Sequence, residues 1–267
     1  AYHGNTMGSM SVMGFEERKQ IFRPLVPDVD FIRFNSDDDL RLITEKTAGV
    51  ILESIQGGAG FIEPVNDWFI KIRNRCTEVG ALMIVDEIQP GFGRTGKWFG
   101  FENYGAVPDV VILGKGMAGG MPCGAFAASG EKMDLLSHDP KLGHITTFGG
   151  HPVIAAAALA TIEEIEEKGL MEAALDKEKL FRELLEHSLI TEIRGKGLML
   201  AAMTPSPEIT DSIILKCHER GLILFWLLFE GRAIRITPPL TISHEEIREG
   251  CNILLEVLDE IWLTEKR

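Results

Sequence analysis

Three short apolar runs, each closed by polar residues, set the rhythm of the first half of the chain. Residues 49–52 lead into Glu53-Ser54-Ile55-Gln56, residues 81–85 into Asp86-Glu87-Ile88-Gln89, and residues 109–113 into Gly114-Lys115-Gly116. Runs that are apolar on both faces are the pattern of buried parallel strands. Residues 124–128 form a fourth candidate strand. Residues 66–79 have helical spacing, so a helix is expected between the first two strands. Ligands of open α/β sheets sit beyond the carboxyl ends of the strands. Glu53, Gln56, Asp86, Gln89 and Lys115 are all expected at that edge.

The second half has a different texture. His151-Pro152 opens a helix running to residue 167, with proline suited to its first turn and Gly169 as its stop. A second helix is expected over 170–186. It is followed by a strand near 197–203, a helix over 209–220, an apolar run at 222–229 that reads as core, and a strand at 233–237. An amphipathic helix over 243–263 closes the chain, with Ile247, Cys251, Leu254, Leu255, Leu258 and Ile261 on one face. The pattern predicts a larger α/β domain over 1–165, with a mostly parallel sheet, and a smaller α+β domain over 166–267. No repeat or low-complexity tract interrupts it.

Composition narrows the function classes. The chain has 267 residues, 45% of them hydrophobic and 25% charged, as in an ordinary globular protein. A net charge of −13 argues against nucleic acid or an anionic membrane as partner. Any phosphate must therefore be held by a local site. The four cysteines form no C-x-x-C pair, which fits a reducing, cytoplasmic compartment. The apolar run at 222–229 is far too short to span a bilayer. The seven histidines are scattered and none shows paired helical spacing, so no metal site is expected. Residue 1 is alanine and a motif follows at once, from which a missing upstream segment is expected.

Single residues say little. An aspartate after a strand is ordinarily a turn or cap residue, and a lysine between glycines is ordinarily solvated. The conjunction is more specific. The run 86–96, Asp-Glu-Ile-Gln-Pro-Gly-Phe-Gly-Arg-Thr-Gly, precedes the run 113–122, Leu-Gly-Lys-Gly-Met-Ala-Gly-Gly-Met-Pro. Around them, in order, stand Tyr2-His3-Gly4-Asn5-Thr6, Glu53-Ser54-Ile55-Gln56-Gly57, Thr146-Thr147-Phe148-Gly149-Gly150-His151-Pro152 and Arg235-Ile236-Thr237-Pro238-Pro239-Leu240. Together they resemble the class III aminotransferases, the ornithine, acetylornithine and 4-aminobutyrate transaminase group, over nearly the whole chain.

The resemblance implies an aspartate-aminotransferase-like fold, pyridoxal 5′-phosphate (PLP) as cofactor, and amino-group transfer from an amino acid to a keto acid such as 2-oxoglutarate. It also implies roles. Lys115 carries the cofactor as a Schiff base, and Asp86 pairs with the pyridinium nitrogen. Gln89 lies near the ring's phenolic oxygen, with Ile88 and Tyr2 against the two ring faces. Thr147 reaches the cofactor phosphate of a neighbouring subunit, so a homodimer with shared sites is expected. Arg235 binds a substrate carboxylate, and Glu53 stands with the substrate residues.

Two departures from the family matter. A glutamate is usual where this chain has Gly58. Without that carboxylate Arg235 should stay available, which predicts a preference for α-amino carboxylates over simple ω-amines. The family's glycine- and serine-containing phosphate loop, which precedes the Tyr-His-Gly motif, is not in this sequence.

Other readings compete. Gly91-Phe92-Gly93-Arg94-Thr95-Gly96 matches G-x-G-x-x-G, but it neither follows a strand directly nor opens an apolar helix, as a dinucleotide site requires. Gly114-Lys115-Gly116 lacks the upstream glycine and the Ser/Thr of a nucleotide-binding loop. Aminomutases, epimerases and decarboxylases share the cofactor residues, because reaction choice lies in how the pocket orients the bonds at Cα. A non-catalytic oligomerising fragment is the alternative outside catalysis.

Overall fold

In the computed structural model, residues 1–265 are described. The last two residues of the expected second domain lie outside them. The chain opens with two short helices, α1 (Met7–Ser11) and α2 (Glu16–Lys19), before the first strand, β1 (Gly49–Glu53). Helix α3 (Trp68–Val79) leads into β2 (Leu82–Asp86), and β3 (Val110–Gly114) and β4 (Gly124–Ala128) complete a four-stranded sheet in the order β1-β2-β3-β4. The first three strands are parallel and β4 runs antiparallel to β3. Glu53 stands opposite Asp86 across the β1–β2 ladder. Lys115 directly follows β3, so register alone brings these three residues to one end of the sheet.

Helix α3 begins at Trp68, two residues later than its spacing suggested, because Asn66 and Asp67 both hold positive φ. It buries Trp68, Phe69, Ile72 and Cys76 against the sheet. Gly80 ends it at φ +76°, a conformation that costs a residue with a β-carbon about 1 kcal/mol.

After the short helix α4 (Gly130–Asp134) come α5 (Pro152–Glu167) and α6 (Leu170–Leu184). Strands β5 (Glu192–Lys196) and β6 (Met199–Met203), helix α7 (Pro207–Glu219), and strands β7 (Phe225–Trp226) and β8 (Ala233–Ile236) precede the last helix, α8 (His244–Glu265). These four strands make a second sheet, antiparallel throughout, in the order β5-β6-β8-β7. Strand β6 is buried at every position. Its neighbours pack with α6, α7 and α8 in one core that holds Leu198, Ile213, Ile234, Val257 and Leu258. Helix α8 starts with a reciprocal cap: Glu246 N–H donates to Ser243 Oγ at 3.1 Å, and Ser243 N–H to Glu246 Oε2 at 2.7 Å.

Three expectations needed correction. Strand β5 gave no periodic signal, because its Glu-Ile-Arg-Gly-Lys sequence buries only Gly195. The strand expected from residue 197 begins at Met199, since Gly197 (φ +61°) belongs to the hairpin turn. The apolar run 222–229 is only partly core. Leu227 is buried, whereas Ile223, Phe225 and Leu228 remain 78%, 53% and 42% exposed. A two-residue edge strand cannot cover both faces of that segment.

Candidate active site

A cleft of about 910 Å³ opens at the carboxyl ends of β1, β2 and β3 and reaches the second sheet. Its wall includes Tyr2, Glu53, Asp86, Ile88, Gln89, Lys115 and Arg235. Seven of the eight residues singled out in the sequence thus meet in one cavity. Thr147 does not. It lies in an exposed turn away from this wall. Gln56, also expected at the strand ends, is occupied in a backbone bridge with Ile62 and does not line the cleft.

Asp86 is the most constrained of these groups, with 4% exposure. Its Oδ1 accepts from Ile88 N–H at 3.0 Å, and its Oδ2 lies 2.9 Å from His3 Nδ1. An ionised carboxylate only accepts, so Nδ1 is the nitrogen that carries the proton. His3 gave no signal in the sequence beyond its place in a loop motif. Its partnership joins positions 83 apart in the chain, and spacing cannot reveal that.

Glu53 is also buried, and both its oxygens are engaged. Oε1 accepts from Tyr2 N–H at 3.1 Å and Oε2 from Gly57 N–H at 2.8 Å. Burial pushes its pKa upward, against those two hydrogen bonds. Committed in this way, Glu53 fixes the backbone of Tyr2 and of the Gly57 turn. That work differs from the substrate contact suggested by the resemblance. A β-carbon on Gly57 would come within 2.5 Å of Gln89 Oε1, so glycine is what lets the Gln89 amide lie against this turn.

Lys115 emerges at the mouth of β3 with φ +42°, in the left-handed region. It is open to the cleft, yet the surrounding walls crowd the ammonium and push its pKa down. Asp86 and Glu53 act in the opposite sense, and Arg235 adds to the lowering. The effect enlarges the fraction of neutral amine, the form that attacks carbonyls and accepts protons.

Arg235 comes from β8, with its guanidinium 4.8 Å from the Phe225 ring centroid. Burial lowers its pKa, and no carboxylate among the described residues pairs with it. The Gly58 departure has a structural counterpart. A β-carbon there would meet the Phe229 ring at 2.9 Å, and Phe229 N–H donates to Gly58 O at 2.9 Å. The Phe229 ring is stacked on Phe15, with centroids 4.7 Å apart, and meets Tyr2 edge-on at 6.3 Å. An aromatic wall thus takes the space that a side chain at position 58 would need.

The matched family model, aminotransferase class-III, covers residues 1–258. The chain belongs to the class-III aminotransferase family. It is 37% identical over 267 residues to an acetylornithine aminotransferase of Caldanaerobacter subterraneus subsp. tengcongensis, a match covering 98% of this chain and 66% of that protein. It is 38% identical to a putrescine aminotransferase of Pectobacterium atrosepticum, covering 98% of this chain and 58% of the relative. Among solved structures, an ornithine aminotransferase from Toxoplasma gondii superposes with a TM-score of 0.91 at 26% identity, over 99% of this chain and 63% of that one. Its active site holds PLP at partial occupancy. The chain therefore spans about two thirds or less of the length of these class-III relatives. Among the described residues no helix is long and apolar enough to cross a membrane, and no cluster of three or more His, Cys, Asp or Glu has metal-holding geometry.

Proposed function

We propose that this chain carries the cofactor and substrate residues of a PLP-dependent transaminase. Such an enzyme would move an amino group from an ornithine- or acetylornithine-like substrate, or another α-amino acid, to a keto acid such as 2-oxoglutarate. The observation that carries this reading is the single cleft holding Asp86, Lys115 and Arg235 at the junction of the two sheets. The donor set suits the group. A buried carboxylate can face a protonated ring nitrogen, an amine can take up an aldehyde, and Tyr2 and Ile88 can flank a flat ring.

When bound, PLP supplies an aldehyde for the lysine and a ring that draws electrons from the substrate Cα. The remaining work falls to the chain. Asp86, oriented by His3 and by the Ile88 amide, holds the proton on the ring nitrogen. Lys115 Nζ takes the proton from the substrate Cα and returns it, helped by its lowered pKa. Arg235 binds the substrate carboxylate as a fork and fixes which Cα bond faces the lysine. With aromatic packing in place of a carboxylate at Gly58, Arg235 stays open, which favours α-amino carboxylates over simple ω-amines.

Two further features belong to this reading. Thr147 sits among exposed apolar residues, with Ile145 70%, Phe148 76%, Val153 57% and Leu159 58% exposed. This surface suits a homodimer in which Thr147 serves the partner's cleft. The four cysteines are free, in keeping with a cytoplasmic setting.

The decisive test is spectroscopic. Mixed with PLP, the protein should develop the visible absorbance band of the lysine-linked cofactor, and Lys115→Ala should abolish it. A band that survives the substitution would overturn the assignment of Lys115. A screen of amino donors against keto acceptors then separates transamination from isomerisation at the same site.

A further inference from the structure

Arg94 has no role in the chemistry above, yet it is tied to both halves of the site. It sits in the loop that follows Asp86 and carries Ile88 and Gln89. Its guanidinium lines the cleft, and Nη1 donates to two backbone carbonyls, Leu198 O at 3.2 Å and Pro238 O at 2.5 Å. Leu198 lies in the β5–β6 turn, and Pro238 is three residues beyond Arg235. The Arg94 backbone joins the contact, with its carbonyl accepting from Leu198 N–H at 2.9 Å.

Glycines make this approach possible. A β-carbon on Gly197 would fall 2.4 Å from Arg94 O, and one on Gly96 would fall 2.5 Å from Leu175 Cγ. Burial alone lowers the Arg94 pKa, to about 10, and no ion pair with a carboxylate is found for it among the described residues. A second cation grips the same segment: Lys177 of α6, 8% exposed, donates to Leu240 O at 2.5 Å. The residues following Arg235 are thus pinned from two sides. Arg94 ties them by a hydrogen bond to the loop that follows Asp86, where Leu240 adds only apolar packing beside Gly93.

We propose that Arg94 is a positioning residue that fixes Arg235 relative to the Asp86–Lys115 end of the cleft. This rests on the reading of Arg235 as the residue that binds the substrate carboxylate. A guanidinium can present N–H groups to two carbonyls in one plane, whereas the lysine ammonium is a compact point charge on a flexible stem. Loss of the clamp leaves Arg235 chemically intact but free to shift with its strand.

The test measures binding of glutarate by calorimetry and binding of PLP by absorbance, in the unaltered protein and in Arg94→Lys, Arg94→Gln and Arg235→Lys variants. Glutarate affinity should fall about tenfold in both Arg94 variants, with PLP affinity within twofold of the unaltered protein. Placed on Arg235→Lys, the Arg94→Lys change should weaken glutarate no further, because both act through one group. Additive losses, or undiminished glutarate affinity in a folded Arg94 variant, would overturn the proposal while leaving Arg235 in its role. Failure of the unaltered protein to bind glutarate would remove the Arg235 reading and this inference with it. Melting temperature checks that each variant folds. Should Arg94→Gln fail to fold, Arg94→Lys carries the comparison.

Discussion

Glu87 is the fully buried neighbour of Asp86, and its two oxygens accept from Gly100 N–H at 2.6 Å and Phe101 N–H at 3.0 Å. Burial outweighs these bonds and raises its pKa from 4.5 to about 7. The folded state therefore holds a proton that the unfolded state releases between those pH values. The stability this provides is fully present below the lower value and is lost as pH rises to the upper one. Glu53, also shifted upward, adds in the same direction. Melting temperature should consequently fall as pH rises from about 5 to about 7. Glu87→Gln should flatten part of that slope, and an identical slope in the variant would contradict the assignment. Specificity is set at the same scale, around Gly58. Glutamate installed there alone would strike the Phe229 ring, so the informative variant is Gly58→Glu with Phe229→Ala. It should shift kcat/KM toward simple ω-amines by about tenfold relative to Phe229→Ala alone, the gain of about one charge-assisted contact. An unchanged ratio would end the idea of a carboxylate-free Arg235 as the source of preference.

Among the elements, the β5–β6 hairpin is the joint between the two sheets. Gly197 adopts φ +61° and lies against the backbone of Arg94 and Thr95, so glycine is needed there for both conformation and space. Gly197→Ala should lower stability by about 2 kcal/mol or more, read as a fall in denaturation midpoint. A variant as stable as the parent would mean that the loop yields freely, and would weaken the case for a rigid joint. The hairpin also shows where pattern reading stopped. Runs apolar on both faces revealed β1, β2 and β3 by the pattern of parallel strands, although β3 is only half-buried at Val110–Leu113. Strand β5 fully buries only Gly195 and is held by pairing with β6, which sequence periodicity does not register.

For the molecule as a whole, the open question is what lies against the exposed apolar residues between Leu142 and Leu159. Leu142, Ile145, Phe148, Val153 and Leu159 are each more than half exposed, a concentration that marks interaction surfaces. Sedimentation should show a dimer whose association is abolished by Leu159→Asp on α5. A monomer at micromolar concentration would remove the expected role of Thr147 in a partner's cleft. The Lys115 band measured on the same variant then reports whether one copy retains the cofactor without the other.

Residue chemistry at the strand ends was legible from the linear order. Buried parallel strands run apolar to their carboxyl ends, and the polar residues that follow have nowhere to lie except along the sheet edge. That is why Glu53, Asp86, Gln89 and Lys115 could be placed together from the linear order, whereas Gln56, placed with them, is held in a bridge to Ile62. Ile88 entered only through the family motif. What the chain order does not hold is distance between segments that fold back on each other. The His3–Asp86 bond, the commitment of both Glu53 oxygens to backbone amides, the Phe229 ring against Gly58 and the Arg94 grip on Pro238 all join distant positions. Their energies depend on packing and on local burial, which exist only once the two sheets have met. The sequence named the residues able to do the chemistry, and the tertiary structure decided which of them are free to do it.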